Sequence, residues 1–306
     1  MVHHLTLSSF PKALSDRIFS PTFFGAAPKL PPTTTGPRKN FQIVSDLHLE
    51  VHKSDPDQYL HFEIPPKAPY LILAGDIGLL VPHYTRYLSF LRRQTEVFEH
   101  VFLVLGNHEF YRTSRAEGLL AAEKMQEELQ PRLTVLNRKR VDFVDGVTIL
   151  GVTLHSMISE DNKEHIKRCV NDFHLIGGWT VEDHNREHKL DREWLKKELA
   201  AIDSEEATGV EKRVVIVTHH APSFIGTSAP EHKDSVLGSA FCTELLSSVE
   251  KRWRGAEMIR LWVFGHTHFS VDFSTRGGIR VVANQKGYPK DNSSIRNFDV
   301  EMVVGV

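Results

Sequence analysis

Phe41-Gln42-Ile43-Val44-Ser45-Asp46-Leu47-His48 reads as a short apolar strand that ends on a carboxylate and an imidazole. The pattern returns further along the chain. Leu71-Ile72-Leu73-Ala74-Gly75 runs into Asp76, Phe102-Leu103-Val104-Leu105-Gly106 into Asn107 and His108, and Arg213-Val214-Val215-Ile216-Val217-Thr218 into His219. Gly265-His266-Thr267-His268 closes the series behind the apolar run from Ile259 to Phe264. Short continuous apolar runs of this kind are the mark of buried strands, and open α/β sheets bind their ligands beyond the carboxyl ends of such strands. Asp46, His48, Asp76, Asn107, His219, His266 and His268 together offer oxygen and nitrogen donors in about the number two divalent cations need when one carboxylate bridges them. Gly75, Gly106 and Gly265 stand directly before these donors, where a residue without a Cβ lets the backbone turn sharply and a cation or phosphate come close.

Between the donor-bearing runs the sequence alternates apolar strands with longer amphipathic stretches, the rhythm of an α/β protein. Strands are predicted near Phe41 to Ser45, Tyr70 to Ala74, Val101 to Leu105, Val147 to Thr153, Val214 to Thr218, Ile259 to Phe264 and Ile279 to Ala283. Helices are predicted near His83 to Phe98, Arg115 to Leu129, His184 to Ile202 and Ala240 to Lys251. Leu190, Trp194, Leu195, Leu199 and Ile202 recur at helical spacing, so the third of these helices should lay one face on a sheet, with Trp194 in the core. The stretch from His155 to His184 breaks the rhythm with polar and aromatic residues and reads equally as a rim or lid after a strand or as structural filler.

The whole chain has 306 residues, of which 25% are charged and 41% apolar, the composition of an ordinary globular protein with a large core. Because the donors are spread from Asp46 to His268 and must meet, one domain over residues 41–306 is expected. Residues 1–40 are rich in Pro, Ser and Thr without periodicity and read as a loosely ordered extension. Their single acidic residue, Asp16, is compatible with an organellar transit peptide, although arginine is sparse and no amphipathic helix is evident. The two cysteines, Cys169 and Cys242, fit neither a disulfide framework nor a thiolate zinc site, so a reducing, cytoplasmic setting is the default. No apolar run approaches the length of a membrane span. A formal net charge of −2 argues against a chain dominated by nucleic-acid binding.

Asp46-Leu47-His48, Gly75-Asp76, Gly106-Asn107-His108-Glu109, the strand-terminal His219 and Gly265-His266-Thr267-His268 occur in the order seen in the calcineurin-like metallophosphoesterases, which the chain resembles over residues 41 to 285. An ordered pattern of five parts is far more specific than any one of them. The resemblance implies a four-layer α-β-β-α sandwich of two mixed β-sheets with a dinuclear site at the sheet edge. It implies one metal on Asp46, His48 and His268, a second on Asn107, His219 and His266, and Asp76 bridging them. The donors suit Mn²⁺, Fe or Zn²⁺ and leave the choice among them open. The resemblance further implies a metal-bridging hydroxide as nucleophile and His108 as the general acid that protonates the departing oxygen, oriented by a carboxylate near the first motif or by Glu109.

His220 competes with His219 for the ligand position, and the family pattern favours His219. Tyr111, His155, Asn171 and His174 are candidates for facing the substrate. Protein phosphatases of this superfamily carry Asp-Arg-Gly after the second motif and Arg before the third; Ile77-Gly78-Leu79 and Leu105 stand here, so a small phosphoester is the expected substrate. A phosphodiesterase or phosphomonoesterase, a non-catalytic scaffold on the same fold, and a dinuclear hydrolase of a non-phosphate substrate are the readings the sequence leaves open. The crowding of imidazoles and carboxylates, which would repel and desolvate one another without metal, favours catalysis.

Overall fold

The computed structural model describes residues 38–51, 57–206, 209–288 and 297–306; the extension read over residues 1–40 lies, as far as residue 37, outside the described residues. The chain runs β1 (Asn40–Val44), α1 (Gln58–His61), β2 (Tyr70–Ala74), α2 (Tyr84–Val97), β3 (His100–Val104), β4 (Thr113–Ser114) and α3 (Arg115–Leu129). It continues through β5 (Leu133–Val135), β6 (Lys139–Asp142), β7 (Val147–Gly151), α4 (Lys163–Cys169), α5 (Asp172–Leu175), β8 (Ile176–Gly177) and α6 (Val181–Ser204). The last third holds β9 (Arg213–Val217), α7 (Leu246–Arg252), β10 (Ile259–Val263), β11 (Val271–Ser274), β12 (Arg280–Ala283) and β13 (Val303–Gly305).

Strands that are apolar on both faces need cover on both, and two facing sheets with helices outside supply it. One sheet has the order β13-β1-β2-β3-β5, parallel except for β13. The other has the order β11-β12-β10-β9-β7-β6, parallel at its centre with an antiparallel strand at each edge. Between the sheets, Ile43, Ile72 and Phe102 meet Ile149, Val215 and Val263. Because successive side chains in a strand point to opposite faces, Val44, Leu71 and Leu103 turn outward to Phe90 and Leu91 of α2 and Met125 of α3. On the other side Leu150, Ile216 and Trp262 turn to Leu195, Leu199 and Ile202 of α6 and Val249 of α7. The result is the α-β-β-α sandwich the sequence predicts. Burial of each such side chain contributes about 1.5–3 kcal/mol.

Local chemistry explains where the helices begin and end. Ser114 and Glu117 exchange side-chain and backbone hydrogen bonds as a capping box, which starts α3 at Arg115, as predicted. Thr180 and Asp183 do the same for α6, so that helix begins at Val181 rather than at His184. Leu195, Leu199 and Ile202 are buried and Trp194 packs half-buried against them, but Leu190 is 47% exposed and lies off the buried face. The helix predicted from Ala240 to Lys251 is shorter. Phe241, Cys242 and Thr243 are drawn into extended pairing with Ala221, with the Thr243 N–H donating to the Ala221 carbonyl at 3.0 Å, and α7 starts only at Leu246.

The two sheets are stitched together at the edge that carries the donors. The Asp46 N–H donates to the Gly75 carbonyl and the His48 N–H to the Asp76 carbonyl, each at 3.0 Å, which ties the ends of β1 and β2. The Gly287 N–H, beyond β12 in the other sheet, donates to the Asp46 carbonyl at 3.0 Å. No helix among the described residues is long and apolar enough to cross a membrane.

Candidate metal centre

Backbone conformation marks the site before any side chain is considered. Five of the seven sequence-predicted donors have positive φ: Asp46 at 53°, His48 at 46°, Asp76 at 54°, His266 at 73° and His268 at 50°. Side chains held in this region cost on the order of 1–3 kcal/mol each, and such strain collects at functional sites. Here it turns the chain at the strand ends so that the side chains converge. Asp46, His48 and His268 bring one donor atom each within 4.8 Å of one another, and Asp76, His219 and His266 form a second such cluster. Asn107 completes the second, its Oδ1 lying 3.1 Å from Nε2 of His219.

The donor chemistry fits a pair of divalent cations. His219 directs Nδ1 at the Ala74 carbonyl, 2.9 Å away, which leaves Nε2 facing Asp76 at 3.3 Å. His48 and His268 point their Nε2 atoms at each other across 2.9 Å. Burial depresses His48 and His266 below the ordinary imidazole range, so both are neutral and ready to act as ligands. His219 goes the other way: burial would lower it, but Asp76 beside it raises it to about 10. A cation held beside Asp76 would take the place of that proton. No thiolate takes part, in keeping with a hard or borderline metal.

Gly106 explains how closely the parts fit. A Cβ added there would overlap Oδ1 of Asp76 and lie 2.7 Å from Nε2 of His219. Gly106→Ala should therefore push the second cluster apart and weaken metal binding at least about tenfold, on the scale of a lost supporting contact. Metal titration of the purified variant measures this, and wild-type affinity would disprove the steric account.

His108 lies beside both clusters. Its Nδ1 is 2.7 Å from Oε1 of Glu50, and its Nε2 is 2.9 Å from the hydroxyl of Tyr288. The carboxylate that orients His108 is thus the one near the first motif. Glu109 instead turns into the core, where it accepts from the N–H groups of Asp76, Ile77 and Gly106. His220, next to His219, is fully buried with its ring tilted against that of His266, the ring centres 4.1 Å apart, and neither of its ring nitrogens has a hydrogen-bond partner among the described residues.

A cavity of about 800 Å³ opens over Asp76, Asn107 and His108. Its walls come from the segment predicted as a rim and from the loop between β9 and α7, with Asn171, Phe224, Lys233, Val236 and Phe241 among them. Of the four residues predicted to face substrate, Tyr111 and Asn171 line this cavity. His155 is buried behind it against Trp179 and His220. His174 is exposed and bonds to the Arg168 carbonyl. Reading the sequence alone assigns no role to Asp172 or Tyr288, and reaches Glu50 only as an unnamed carboxylate near the first motif. Glu50 continues the first motif as Asp-x-His-x-Glu, a signal that was available; Tyr288 follows a strand without any periodic pattern to single it out.

The profile of the calcineurin-like phosphoesterases matches residues 40–270. The chain belongs to this family. An uncharacterized protein of Acanthamoeba polyphaga mimivirus is 29% identical over 278 residues, 84% of this chain and 94% of its own. Among solved structures, the phosphopantetheinyl hydrolase of Mycobacterium tuberculosis superposes with a TM-score of 0.63 at 18% identity, covering 89% of this chain and 96% of its own. A dimetal phosphatase from Danio rerio aligns at 14% identity with a TM-score of 0.49, over 80% of this chain and 86% of its own. As in its sequence motifs, this calcineurin-like phosphoesterase sets its candidate ligands where five strands end.

Proposed function

We propose that the chain is a dinuclear metal-dependent hydrolase of phosphate esters, acting on a small molecule with a sizeable organic arm. The observation that carries the reading is the pair of neighbouring three-residue clusters, with His48 of one 3.9 Å from Asp76 of the other below the cavity and His108 and its Glu50 partner at their side. Asp46, His48 and His268 would hold one cation, Asn107, His219 and His266 the other, and Asp76 would bridge. Two such cations would supply Lewis-acid charge to the phosphoryl group and lower the pKa of the attacking water. The water, having released one proton to solvent, would bond to phosphorus as the bond to the leaving oxygen breaks, and His108 would give its Nε2 proton to that oxygen. In the structure Nε2 lies 2.9 Å from the hydroxyl of Tyr288, which also lines the cavity.

The cavity supports the choice of substrate size, since about 800 Å³ falls in the range of pockets that enclose drug-sized ligands and far exceeds phosphate itself. Phe224, Val236 and Phe241 give it apolar walls for an organic arm.

Protein purified without chelator should carry two metals per chain and, with Mn²⁺ added, hydrolyse a bis-nitrophenyl phosphodiester or a nitrophenyl monoester. Chelation should abolish turnover, and the ratio of the two rates selects the substrate class. A phosphopantetheinyl compound, the group named for the mycobacterial hydrolase, belongs in the panel together with non-phosphate esters. Two metals with turnover only on the latter would replace the phosphoester reading, and failure to bind metal would leave a scaffold.

A further inference from the structure

We propose that Asp172 is a positioning residue of the metal centre, acting through the amide of Asn107; the proposal rests on the dinuclear reading above. An asparagine side chain offers one acceptor oxygen and two N–H donors on its nitrogen, and only the oxygen can ligate a cation. Which end faces the metal space is decided by what meets the other end. Nδ2 of Asn107 donates to Oδ1 of Asp172 at 2.8 Å and to the hydroxyl of Tyr111 at 3.0 Å. Tyr111 in turn donates to the same Asp172 oxygen at 2.7 Å. Both amide hydrogens are therefore committed, and Oδ1 is left facing His219 in the second cluster.

The alternative orientation is closed by charge. A carboxylate only accepts, so a rotated amide would set its carbonyl against Asp172 while aiming N–H groups at the cation space. Asp172 is 3% exposed, which makes both the bonds and the repulsion strong for want of water to screen them. It stands 65 residues beyond Asn107, at the start of α5, in the segment that breaks the α/β rhythm. That segment is latched beside the third motif: β4 pairs with β8, and the Arg112 N–H donates to the Leu175 carbonyl at 2.7 Å. Its adjacent Asn171 lines the cavity. One short helix thus serves as cavity wall and as the hand that turns a metal ligand.

The test is a stepwise titration of the metal-free full chain with Mn²⁺ alone, followed by calorimetry and by the spin resonance of the bound ion. Asp172→Ala should weaken one of two binding steps about 10- to 100-fold, the usual loss when a ligand's supporting partner is removed, and leave the other step unchanged. Asp172→Asn, whose carbonyl can accept both bonds, should recover most of the affinity, and Tyr111→Phe should lose less than Asp172→Ala because the direct carboxylate bond remains. Melting of the metal-free proteins separates a folding role. If Asp172→Ala melts earlier yet binds both ions as the wild type does, or if Asp172→Asn is no better than Asp172→Ala, the positioning role is overturned. If the wild type binds no Mn²⁺, the dinuclear reading fails first and the proposal with it.

Discussion

His108→Ala is expected to keep both metals and to slow hydrolysis of esters with poor leaving groups by about 10² to 10⁴ fold, the scale of help from a positioned general acid. Nitrophenyl esters, whose leaving oxygen needs little protonation, should lose much less. The contrast follows from placement, since His108 is held by Glu50 on one nitrogen and turns the other toward the cavity. Burial alone would lower its pKa, but the charge of Asp76 and the bond to Glu50 raise it to about 9. That value is for the protein without metal: cations on Asp76 would cancel its share while the bond to Glu50 remains, so His108 still gives up its proton as pH rises and the rate on alkyl esters should fall on the alkaline side. Glu50→Gln removes one source of that elevation and should move the alkaline limb to lower pH; because Oε1 of Glu50 also lies 3.4 Å from Nδ1 of His48, the comparison is made at saturating metal. Equal losses on both leaving-group types in His108→Ala, or an unmoved limb in Glu50→Gln, would remove His108 from the acid role.

The parts of the site that could be read from the sequence are those a strand end positions by itself. Asp46, Asp76, Asn107 and His219 each follow a run whose burial was evident from uninterrupted apolar residues, and parallel neighbours in a sheet bring their carboxyl ends to one edge. Asp172 could not be placed that way. It sits beside Asn171 in the insertion; both residues line the cavity, and only the turn at the start of α5 brings the Asp172 carboxylate onto the amide of Asn107. Helix limits failed for a related reason: α7 loses its expected first turns because Phe241, Cys242 and Thr243 find backbone partners near Ala221, a contact between distant residues that no local pattern encodes.

Glu109→Gln should cost more stability than any other isosteric change near the site. The sequence offers Glu109 as a partner for His108, but the structure gives it a different task, as a clamp between two ligand loops. One oxygen accepts from the N–H groups of Asp76 at 3.0 Å and Gly106 at 2.7 Å, and the other from Ile77 at 2.8 Å and the Tyr87 hydroxyl at 3.0 Å. The side chain is fully buried, and each of these partners is a donor. A glutamine keeps one acceptor and turns an amide nitrogen toward two donors that then have none. At about 1–3 kcal/mol for each buried group left unsatisfied, the loss should reach roughly 2–6 kcal/mol. Tyr87→Phe, which removes a single hydroxyl donor, is the control and should cost only about 1 kcal/mol. Because the loops after β2 and β3 carry Asp76 and Asn107, the same substitution should loosen Asp76, the proposed bridge, so the melting temperature of Glu109→Gln should respond less to added Mn²⁺ than that of the wild type. Thermal melting with and without Mn²⁺ reads both effects. A variant that melts with the wild type in both conditions would mean that the two loops hold their positions without the clamp, and that the convergence of Asp76 and Asn107 is set by the strands alone.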